Sequence, residues 1–423
     1  MGAGRILGTS VALVAAGALA APAAVAGPSP HRDKQATWTQ VLENADASDT
    51  RWSARAGLQA VTLGSTVYVL GGRVPNEPDP EFPIPGDSTL LNDVWSSSDR
   101  GETWENLVPT GAAPDMWSPR AYFSAVTKGE YMYVLGGQDY GVIPNPECPL
   151  PSFDPPSFDP PSFDPPCSPF ISTSQFFNDV WRSRDGRTWE QMTPAAPWEG
   201  RAGLSAAVLD GSMYVFGGSV NDDSAVIGGP PVREYFNDVW KSRDNGRTWT
   251  KVNGGAPWSQ RAGAATVVKG GHIYLLGGEV GFTCASIPGD CDPPYFNDVW
   301  RTRDGRTWKQ VTPAAGWSPR PGHKCEVLDG KIVCFGGFGL PVNPTDAWWS
   351  GSGQQWHKLA GAAWNAATPD EAKYDFDSAV IPDRRGRPAI YTFGGDRETF
   401  DFDAGNYLRV DNDVWQLRLG RSR

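Results

Sequence analysis

Apolar and polar positions along the chain repeat a four-part pattern. Between residues 201 and 257, a short apolar segment precedes an Asp-Gly turn, and an aromatic, β-branched run then ends at Gly217-Gly218. After a loop, the segment Asn-Asp-Val-Trp at 237–240 and a last apolar segment are joined by a second turn at 244–246. Neither half of the pattern has helical periodicity, so each repeat is predicted to form four short strands joined by turns.

Tryptophans count the repeats. The chain contains 19 of them, and three sets of six occupy equivalent positions. The fourth-strand set is Trp38, Trp104, Trp189, Trp249, Trp308 and Trp356; the set before the first strand is Trp52, Trp117, Trp198, Trp258, Trp317 and Trp364; the third-strand set is Trp95, Trp181, Trp240, Trp300, Trp415 and either Trp348 or Trp349. Four antiparallel strands per repeat is the plan of a propeller blade. The sequence therefore predicts an all-β, six-bladed β-propeller of four-stranded antiparallel blades.

The two ends predict how the ring closes. The sequence ends after a third strand at 414–419, and its start supplies a fourth strand at 37–41. We expect the N-terminal strand to complete the last blade and close the ring, because closure leaves few open strand edges. The predicted domains are a signal peptide at 1–26, an N-terminal tail at 27–36, the propeller at 37–419 and a C-terminal tail at 420–423.

These motifs resemble the kelch repeat over about residues 37–419. The resemblance lies in the Gly-Gly that ends each second strand, the Asn-Asp-Val-Trp third strand and the fourth-strand Trp. Segments 97–104 and 242–249 also resemble the Asp-box of sialidases, Ser-x-Asp-x-Gly-x-Thr-Trp; 183–189 and 302–308 are one residue shorter, and 350–356 lacks the Asp. Galactose oxidase shares kelch-like blades, and the sialidase Asp-box is a structural turn. Both resemblances imply a propeller and leave its chemistry open.

The N-terminus predicts export. Arg5, an apolar stretch from about residue 6 to 20 and the small-residue exit Ala24-Val25-Ala26 are typical of a secretory signal peptide. A membrane anchor is the weaker interpretation, since the stretch is short for a bilayer span. The net charge of −11 argues against nucleic acid, whose phosphates need a basic face. We expect a secreted or otherwise exported monomer without a membrane span.

Six cysteines in an exported chain suggest disulfides. Cys325 and Cys334 flank an Asp-Gly turn, a strong signal for a two-residue hairpin, whose register places them directly opposite each other in a non-hydrogen-bonded pair. Cys148 and Cys167 bracket one loop, and Cys284 and Cys291 bracket another. Three local bridges are predicted: Cys148–Cys167, Cys284–Cys291 and Cys325–Cys334. Buried free thiols remain the alternative. The first loop repeats Pro-Ser-Phe-Asp-Pro, which favours extended chain.

A cation follows the first-strand Trp in every repeat. Trp-x-x-Arg gives Arg55, Arg120, Arg201, Arg261 and Arg320, and Lys373 aligns with them in the last repeat. If they ring the channel mouth, these arginines and Trp117, Trp198, Trp258 and Trp317 would suit carboxylates and sugar faces. Six carboxylates also recur once per blade: Asp93, Asp179, Asp238, Asp298, Asp346 and Asp413. The equal count favours an internal salt bridge in each blade.

Acidic residues that break the repeat are concentrated in the long loops between second and third strands. Such loops on one rigid face are the usual place for binding. Glu279 is one candidate ligand-binding residue. Asp396, Glu398, Asp401 and Asp403 are weak candidates for a Ca²⁺ site, because their oxygens suit this ion but lack the spacing of a known loop. No other cofactor is predicted.

The sequence supports two functional interpretations. The first is a secreted binding module for a glycan or an extended peptide on the long-loop face. The alternative is a carbohydrate-active enzyme at the channel mouth, either glycoside-cleaving or similar to sialic-acid mutarotases, which this chain resembles in blade number, kelch pattern and export. No paired histidines for the copper site of galactose oxidase and no sialidase Phe/Tyr-Arg-Ile-Pro motif are present. Whether the protein is an enzyme stays open.

Overall fold

The described chain forms six four-stranded antiparallel sheets, each of which is one propeller blade. A computed structural model describes residues 36–77, 87–112, 115–148, 169–221, 233–281, 295–339, 343–359, 372–397 and 408–420. The predicted signal peptide and nearly all of the predicted N-terminal tail lie outside these residues. In the described part of the chain, no helix is long and apolar enough to cross a membrane.

The strands have the following bounds. In chain order they are β1 (Ala36–Leu42), β2 (Gln59–Leu63), β3 (Thr66–Pro75), β4 (Ser88–Ser97), β5 (Glu105–Val108), β6 (Ser124–Lys128), β7 (Tyr131–Leu135), β8 (Val142–Pro144), β9 (Phe170–Ser172), β10 (Val180–Ser183), β11 (Glu190–Thr193), β12 (Ser205–Leu209), β13 (Ser212–Phe216), β14 (Ser219–Val220), β15 (Glu234–Tyr235), β16 (Val239–Ser242), β17 (Thr250–Asn253), β18 (Ala265–Lys269), β19 (His272–Glu279), β20 (Tyr295–Thr302), β21 (Trp308–Thr312), β22 (Lys324–Leu328), β23 (Lys331–Phe335), β24 (Ala347–Ser350), β25 (His357–Lys358), β26 (Asp377–Pro382), β27 (Pro388–Asp396) and β28 (Val410–Leu419).

Blades 1 to 5 follow one another along the chain, and blade 6 closes the ring. The sheets are β2-β3-β4-β5, β6-β7-β10-β11, β12-β13-β16-β17, β18-β19-β20-β21, β22-β23-β24-β25 and β26-β27-β28-β1. The small sheets β8-β9 and β14-β15 lie within loops between second and third strands. In blade 6, β1 pairs antiparallel with β28 from Ala36↔Leu419 to Leu42↔Val414. This confirms the six-bladed fold and its closure by the N-terminal strand.

The Asp-box sequence forms the turn between third and fourth strands. In blade 1, Ser97 Oγ accepts a hydrogen bond from the Gly101 amide at 2.8 Å, and Asp99 accepts one from the Thr103 amide at 2.9 Å. The Trp104 indole donates to the Gly101 carbonyl at 3.2 Å. The shorter copy in blade 2 makes the same Ser–Gly contact at 2.9 Å between Ser183 and Gly186. The motif therefore stabilises a turn away from the long loops.

The core lies between the blades. Each of six apolar clusters combines residues of two neighbouring blades. In five of them, the Trp before a first strand and a fourth-strand Trp both pack at the seam, and the sixth has the fourth-strand Trp38. In the seam between blades 1 and 2, Trp117 meets Trp189 edge-on at 5.8 Å. Because every blade buries its faces against two neighbours, a single blade has no complete core of its own.

The Gly-Gly dipeptides link each blade to the next. The second glycine donates its amide to the carbonyl of the repeated cation in the following blade, as Gly72 does to Arg120 at 3.0 Å. The last link of the ring runs from Gly395 to Arg55, also at 3.0 Å. Gly72 has φ of 106°, and a Cβ there would lie 2.8 Å from the Ala56 carbonyl oxygen. Only glycine allows this close approach to the segment before the first strand of the same blade.

The predicted hairpin disulfide Cys325–Cys334 is formed, with the Cα atoms 4.1 Å apart and the two residues directly opposite each other. Cys148 is also disulfide-bonded, but its predicted partner Cys167 lies outside the described residues. Cys284 and Cys291 lie outside them as well.

The sequence left open whether Trp348 or Trp349 is the third-strand Trp of blade 5. It is Trp348, because this residue pairs with Cys334 as Trp95 pairs with Val69 in blade 1.

Candidate functional site

The five repeated arginines are buried inside their blades. Arg201 is 1% exposed, and its guanidinium donates to Asp238 at 2.6 and 3.3 Å, to the Gly217 carbonyl at 3.1 Å and to the Glu199 carbonyl at 2.9 Å. The same set recurs for Arg55, Arg120 and Arg261, each within 2.6 Å of its Asp, and for Arg320, whose Asp346 lies at 2.9 Å. Burial disfavours the charge of Asp238, but Arg201 outweighs this and lowers its pKa below the usual value.

These contacts place the predicted ligand-binding arginines in internal positions. Trp117, Trp198, Trp258 and Trp317 are likewise at most 2% exposed and pack between blades. The geometry corresponds to the salt-bridge interpretation of the Arg–Asp pairs. Ligand binding by these residues receives no support from it, because neither the guanidinium groups nor the indole rings reach the surface.

Blade 6 forms the equivalent buried ion pair from different residues. Lys373 replaces the arginine and pairs with Asp413 and with Asp411, the latter at 2.9 Å. Arg397 joins both carboxylates. Burial of Asp411 disfavours its charge, but Lys373 and Arg397 outweigh this and lower its pKa. In blade 3 the residue equivalent to Asp411 is Phe236, whose ring lies 3.9 Å from the Arg201 guanidinium carbon. Blade 6 therefore departs from the repeat on the long-loop face.

A closed ring of backbone hydrogen bonds defines the mouth of the central channel. Six equivalent residues, one per blade, each donate an amide to the carbonyl of the preceding blade at 2.8–3.1 Å: Gly57, Tyr122, Gly203, Gly263, Gly322 and Asp375. All have φ between 48° and 63°. Four are glycines, which adopt this region freely, whereas Tyr122 and Asp375 hold it with a side chain at a cost. These two residues flank blade 1 and break the symmetry of the mouth.

The position after each Gly-Gly lies beside this ring and differs in every blade. The six residues are Arg73, Gln138, Ser219, Glu279, Phe338 and Asp396, and all but Phe338 form a β-bridge with the residue just before the ring in the same blade. Arg73 donates to the Tyr122 hydroxyl at 2.7 Å and pairs with Asp396 at 2.6 Å. Burial, opposed by Arg73, raises the pKa of Tyr122 well above its usual value, so the phenol is uncharged at neutral pH.

The predicted metal ligands and Glu279 are placed as follows. Asp396 is fully buried and ion-paired with Arg73, while Glu398, Asp401 and Asp403 lie outside the described residues. Within the described ranges, no group of three or more Asp, Glu, His or Cys side chains is arranged to hold a metal ion. Glu279 is 8% exposed and occupies the blade 4 position beside the mouth. It is therefore the one predicted ligand-binding residue that belongs to the irregular set.

Below the mouth, the innermost strands β2, β6, β12, β18, β22 and β26 enclose a cavity of about 550 Å³. Four polar residues lie together on the blade 5 and blade 6 part of its wall. Lys324 pairs with Asp377 at 2.9 Å, and the Ser378 hydroxyl donates to Glu326 Oε1 at 2.9 Å. Burial, reinforced by Asp377, raises the pKa of Glu326 to about 8. This carboxyl is therefore largely protonated at neutral pH.

His323 is the histidine expected near the channel face. It is 2% exposed and packs 5.3 Å from the Trp317 ring, in the position that Phe123 has beside Trp117 in blade 2. Neither ring nitrogen has a hydrogen-bond partner among the described residues. Burial lowers its pKa to about 3, so the ring is uncharged.

Sequence reasoning missed the residues that make the mouth and the channel wall asymmetric. These are Arg73, Tyr122, Lys324, Glu326, Asp375, Asp377 and Ser378. A column-by-column comparison of the six repeats would have found most of them, since Tyr122 and Asp375 stand where four repeats have Gly. Glu326 stands where the others have Val or Ala. The repeated residues drew attention because they are conspicuous, although repetition is itself a sign of a structural role.

Comparison with known proteins agrees with this geometry. Residues 171–337 match the model of the KLHDC2/KLHL20/DRC7 Kelch-repeats domain. A solved structure titled "Structure of YjhT" superposes on 90% of this chain and 100% of its own, with a TM-score of 0.55 and 17% sequence identity. At this identity the superposition shows a shared fold alone.

Two groups of curated proteins are similar in sequence. Kelch domain-containing protein 3 of Homo sapiens is 28% identical over 237 residues, which cover 55% of this chain and 49% of that protein. N-acetylneuraminate epimerase of Escherichia coli O1:K1 / APEC is 27% identical over 181 residues, 42% of either chain, and that of Pasteurella multocida is 32% identical over 95 residues, 22% of this chain and 23% of its own. The chain spans about half the length, or less, of the curated relatives it matches.

Proposed function

We propose that this chain, which belongs to the kelch-repeat β-propeller family, is an exported monomer that recognises a glycan at the mouth of its channel, on the long-loop face. One observation carries the proposal: the residues that follow Gly-Gly differ in all six blades, although the repeat around them is closely kept. A position that serves the fold alone would be the same in each blade.

The chemistry of the mouth favours a sugar ligand. Arg73 and Glu279 present guanidinium and carboxyl groups at equivalent positions of blades 1 and 4, and Tyr122 of the ring adds a hydroxyl that accepts from Arg73. Close by, the rings of Tyr295, Phe338 and Tyr374 pack edge-on at 6.0 and 5.2 Å. Polar groups fixed beside aromatic rings are what recognition of a sugar requires, since one face of the sugar is apolar and its edge carries hydroxyls.

Strain at the mouth adds support. Tyr122 and Asp375 hold a left-handed backbone that costs of the order of 1 kcal/mol or more per residue, at ring positions that are otherwise glycine. Both side chains are half-buried and so keep part of their surface at the mouth. A requirement for these particular side chains would account for their retention against this cost.

A glycan array with the mature protein tests the proposal. Asp375→Gly restores the glycine of four other blades, so it should fold at least as well as the wild type and yet bind the selected glycan more weakly. Tyr122→Phe removes only the hydroxyl. Arg243→Gln, on the exposed Asp-box turn of blade 3, is the matched control and should bind normally. Binding of extended peptides with no glycan, or glycan binding that Asp375→Gly leaves unchanged, would overturn the proposal.

An epimerase of acidic sugars is the second candidate. The similarity to the N-acetylneuraminate epimerases favours it. NMR can follow the interconversion of N-acetylneuraminate epimers with and without the protein. Interconversion that depends on the protein and is lost with Tyr122→Phe would replace the binding function by this activity, whereas an unchanged rate would remove the candidate.

A further inference from the structure

At one register position of the innermost strands, the residue is apolar in every blade except blade 5. In each blade, one residue of the innermost strand pairs with the residue that precedes Gly-Gly on the second strand. The residue two positions further along the innermost strand is, from blade 1 to blade 6, Val61, Val126, Ala207, Val267, Glu326 and Ala379. The five apolar members all pack in the hydrophobic clusters between blades or against them. Glu326 alone places a carboxyl there.

Its neighbour across the seam departs from the repeat in the same way. Ser378 stands where blades 1, 2 and 3 have Ala60, Ala125 and Ala206. The Ser378 hydroxyl donates to Glu326 Oε1, and Oε2 has no hydrogen-bond partner among the described residues. Since Glu326 is half-buried and lines the cavity, Oε2 can interact with whatever occupies the channel.

The wall as a whole is close to electrically neutral. Asp377 uses one oxygen for Lys324 at 2.9 Å and the other for the Ala60 amide at 2.6 Å, so this ion pair is satisfied within the protein. The burial that raises the pKa of Glu326 to about 8 keeps its carboxyl uncharged near neutral pH, where it can donate one hydrogen bond and accept others. An acidic ligand would find no unpaired cation on this wall.

The cavity has the size of a ligand site and a lining that is partly polar and partly apolar. Its volume of about 550 Å³ lies in the range of small-molecule pockets, about 300–1,000 Å³. Blades 1 to 3 contribute Ala60, Ala125 and Ala206 to the lining, together with the polar residues Gln59, Ser124 and Ser205. A sugar ring has the matching character, with hydroxyls at its edge and C–H groups on its face.

We propose that the terminal residue of a neutral glycan enters the channel from the long-loop face and is held by Glu326 and Ser378 on the blade 5–6 wall. This inference rests on the proposed function and adds to it a second subsite below the mouth. It also selects a chain end over an internal segment, because the six innermost strands enclose the channel from all sides.

The test uses the double variant Glu326→Val, Ser378→Ala, which gives the blade 5–6 seam the residues found at other seams and should therefore fold. The probes are neutral trisaccharides (maltotriose, cellotriose, triacetylchitotriose and mannotriose) and acidic ones (sialyllactose and trigalacturonate), measured by calorimetry at about pH 7 and pH 9. We expect a neutral probe to bind, and the double variant to bind it roughly tenfold more weakly through loss of its hydrogen bonds. Glu105→Gln, on the outer strand β5, is the control and should bind as the wild type does.

The pH dependence supplies a second readout. If the ligand needs protonated Glu326, its affinity should fall about tenfold between pH 7 and pH 9, and Glu326→Gln, which keeps a neutral hydrogen-bonding group, should abolish this fall. The neighbouring charges that bear on this titration are Lys324 and Asp377.

The outcomes separate this inference from the proposed function. Neutral binding that Asp375→Gly weakens but the double variant leaves unchanged would overturn the channel subsite and keep recognition at the mouth. Binding of acidic probes alone would also overturn the inference while glycan recognition stood. Binding of no sugar at all would overturn both.

Discussion

Replacement of Arg201 by Met tests whether the repeated arginines stabilise the fold through buried ion pairs. Met has a similar length and no charge, so the variant removes four hydrogen bonds without leaving a large cavity. Asp238 would keep only the Trp240 indole, at 2.7 Å. Breaking a buried ion pair at one partner costs about 3–5 kcal/mol, because the other charge is left without compensation. We expect the free energy of unfolding to fall by this amount.

Urea unfolding followed by tryptophan fluorescence measures the effect. Arg247→Met is the matched control, since this side chain is 52% exposed and lies 3.5 Å from Glu190, and an exposed pair is worth about 0–1 kcal/mol. Arg201→Met combined with Asp238→Leu should cost less than the sum of the single changes, since the orphaned charge is gone. The structural role would be refuted if Arg201→Met lowered the free energy of unfolding no more than Arg247→Met does and also weakened glycan binding. Arg201 would then be a ligand-binding residue.

Three further outcomes follow from the fold. Replacing Cys325 and Cys334 by Ala should lower the free energy of unfolding by about 2–3 kcal/mol, from the chain entropy of a short loop, and an unchanged midpoint under non-reducing conditions would contradict this. Deleting β1 (Ala36–Leu42) should leave blade 6 three-stranded and lower the melting temperature strongly, which unchanged melting would refute. The folded-state pKa of Glu326, about 8, lies above its usual 4.5, so its contribution to stability is fully present below about pH 4.5 and is lost as pH rises through 8. Glu326→Gln should remove this dependence, about 1.4 kcal/mol per pH unit before screening by channel water, and wild-type and variant curves that stay parallel from pH 5 to 9 would contradict it.

Much of the fold was predictable because its signals are local and repeated. Asp-Gly turns, Asp-box turns and apolar runs each specify a strand or a turn within a few residues, and the 19 tryptophans counted the blades. The register of the Cys325–Cys334 hairpin followed from its two-residue turn. Prediction was weaker for the third strand of blade 5, where neighbouring Trp348 and Trp349 fit the pattern equally well and only pairing with β23 chose between them.

The candidate site was predicted less well. Arg201 and its equivalents were named both as ligands and as salt-bridge partners, and only their burial assigns the internal role. The meeting of Arg73 with Tyr122 and Asp396 joins residues 49 and 323 positions apart. No spacing in the sequence indicates such a contact.

The sequence by itself determined the blade, the number of blades and the strand that closes the ring, because each strand is marked by a short local motif and these motifs can be counted from one repeat to the next. Tertiary structure decided which polar side chains line the mouth and the channel. Ring closure places Asp396 of blade 6 beside Arg73 of blade 1 at the mouth, and the packing of blade 6 on blade 5 forms the polar part of the wall. Burial in that setting sets the charge of Tyr122 and Glu326, and burial is a property of the assembled ring.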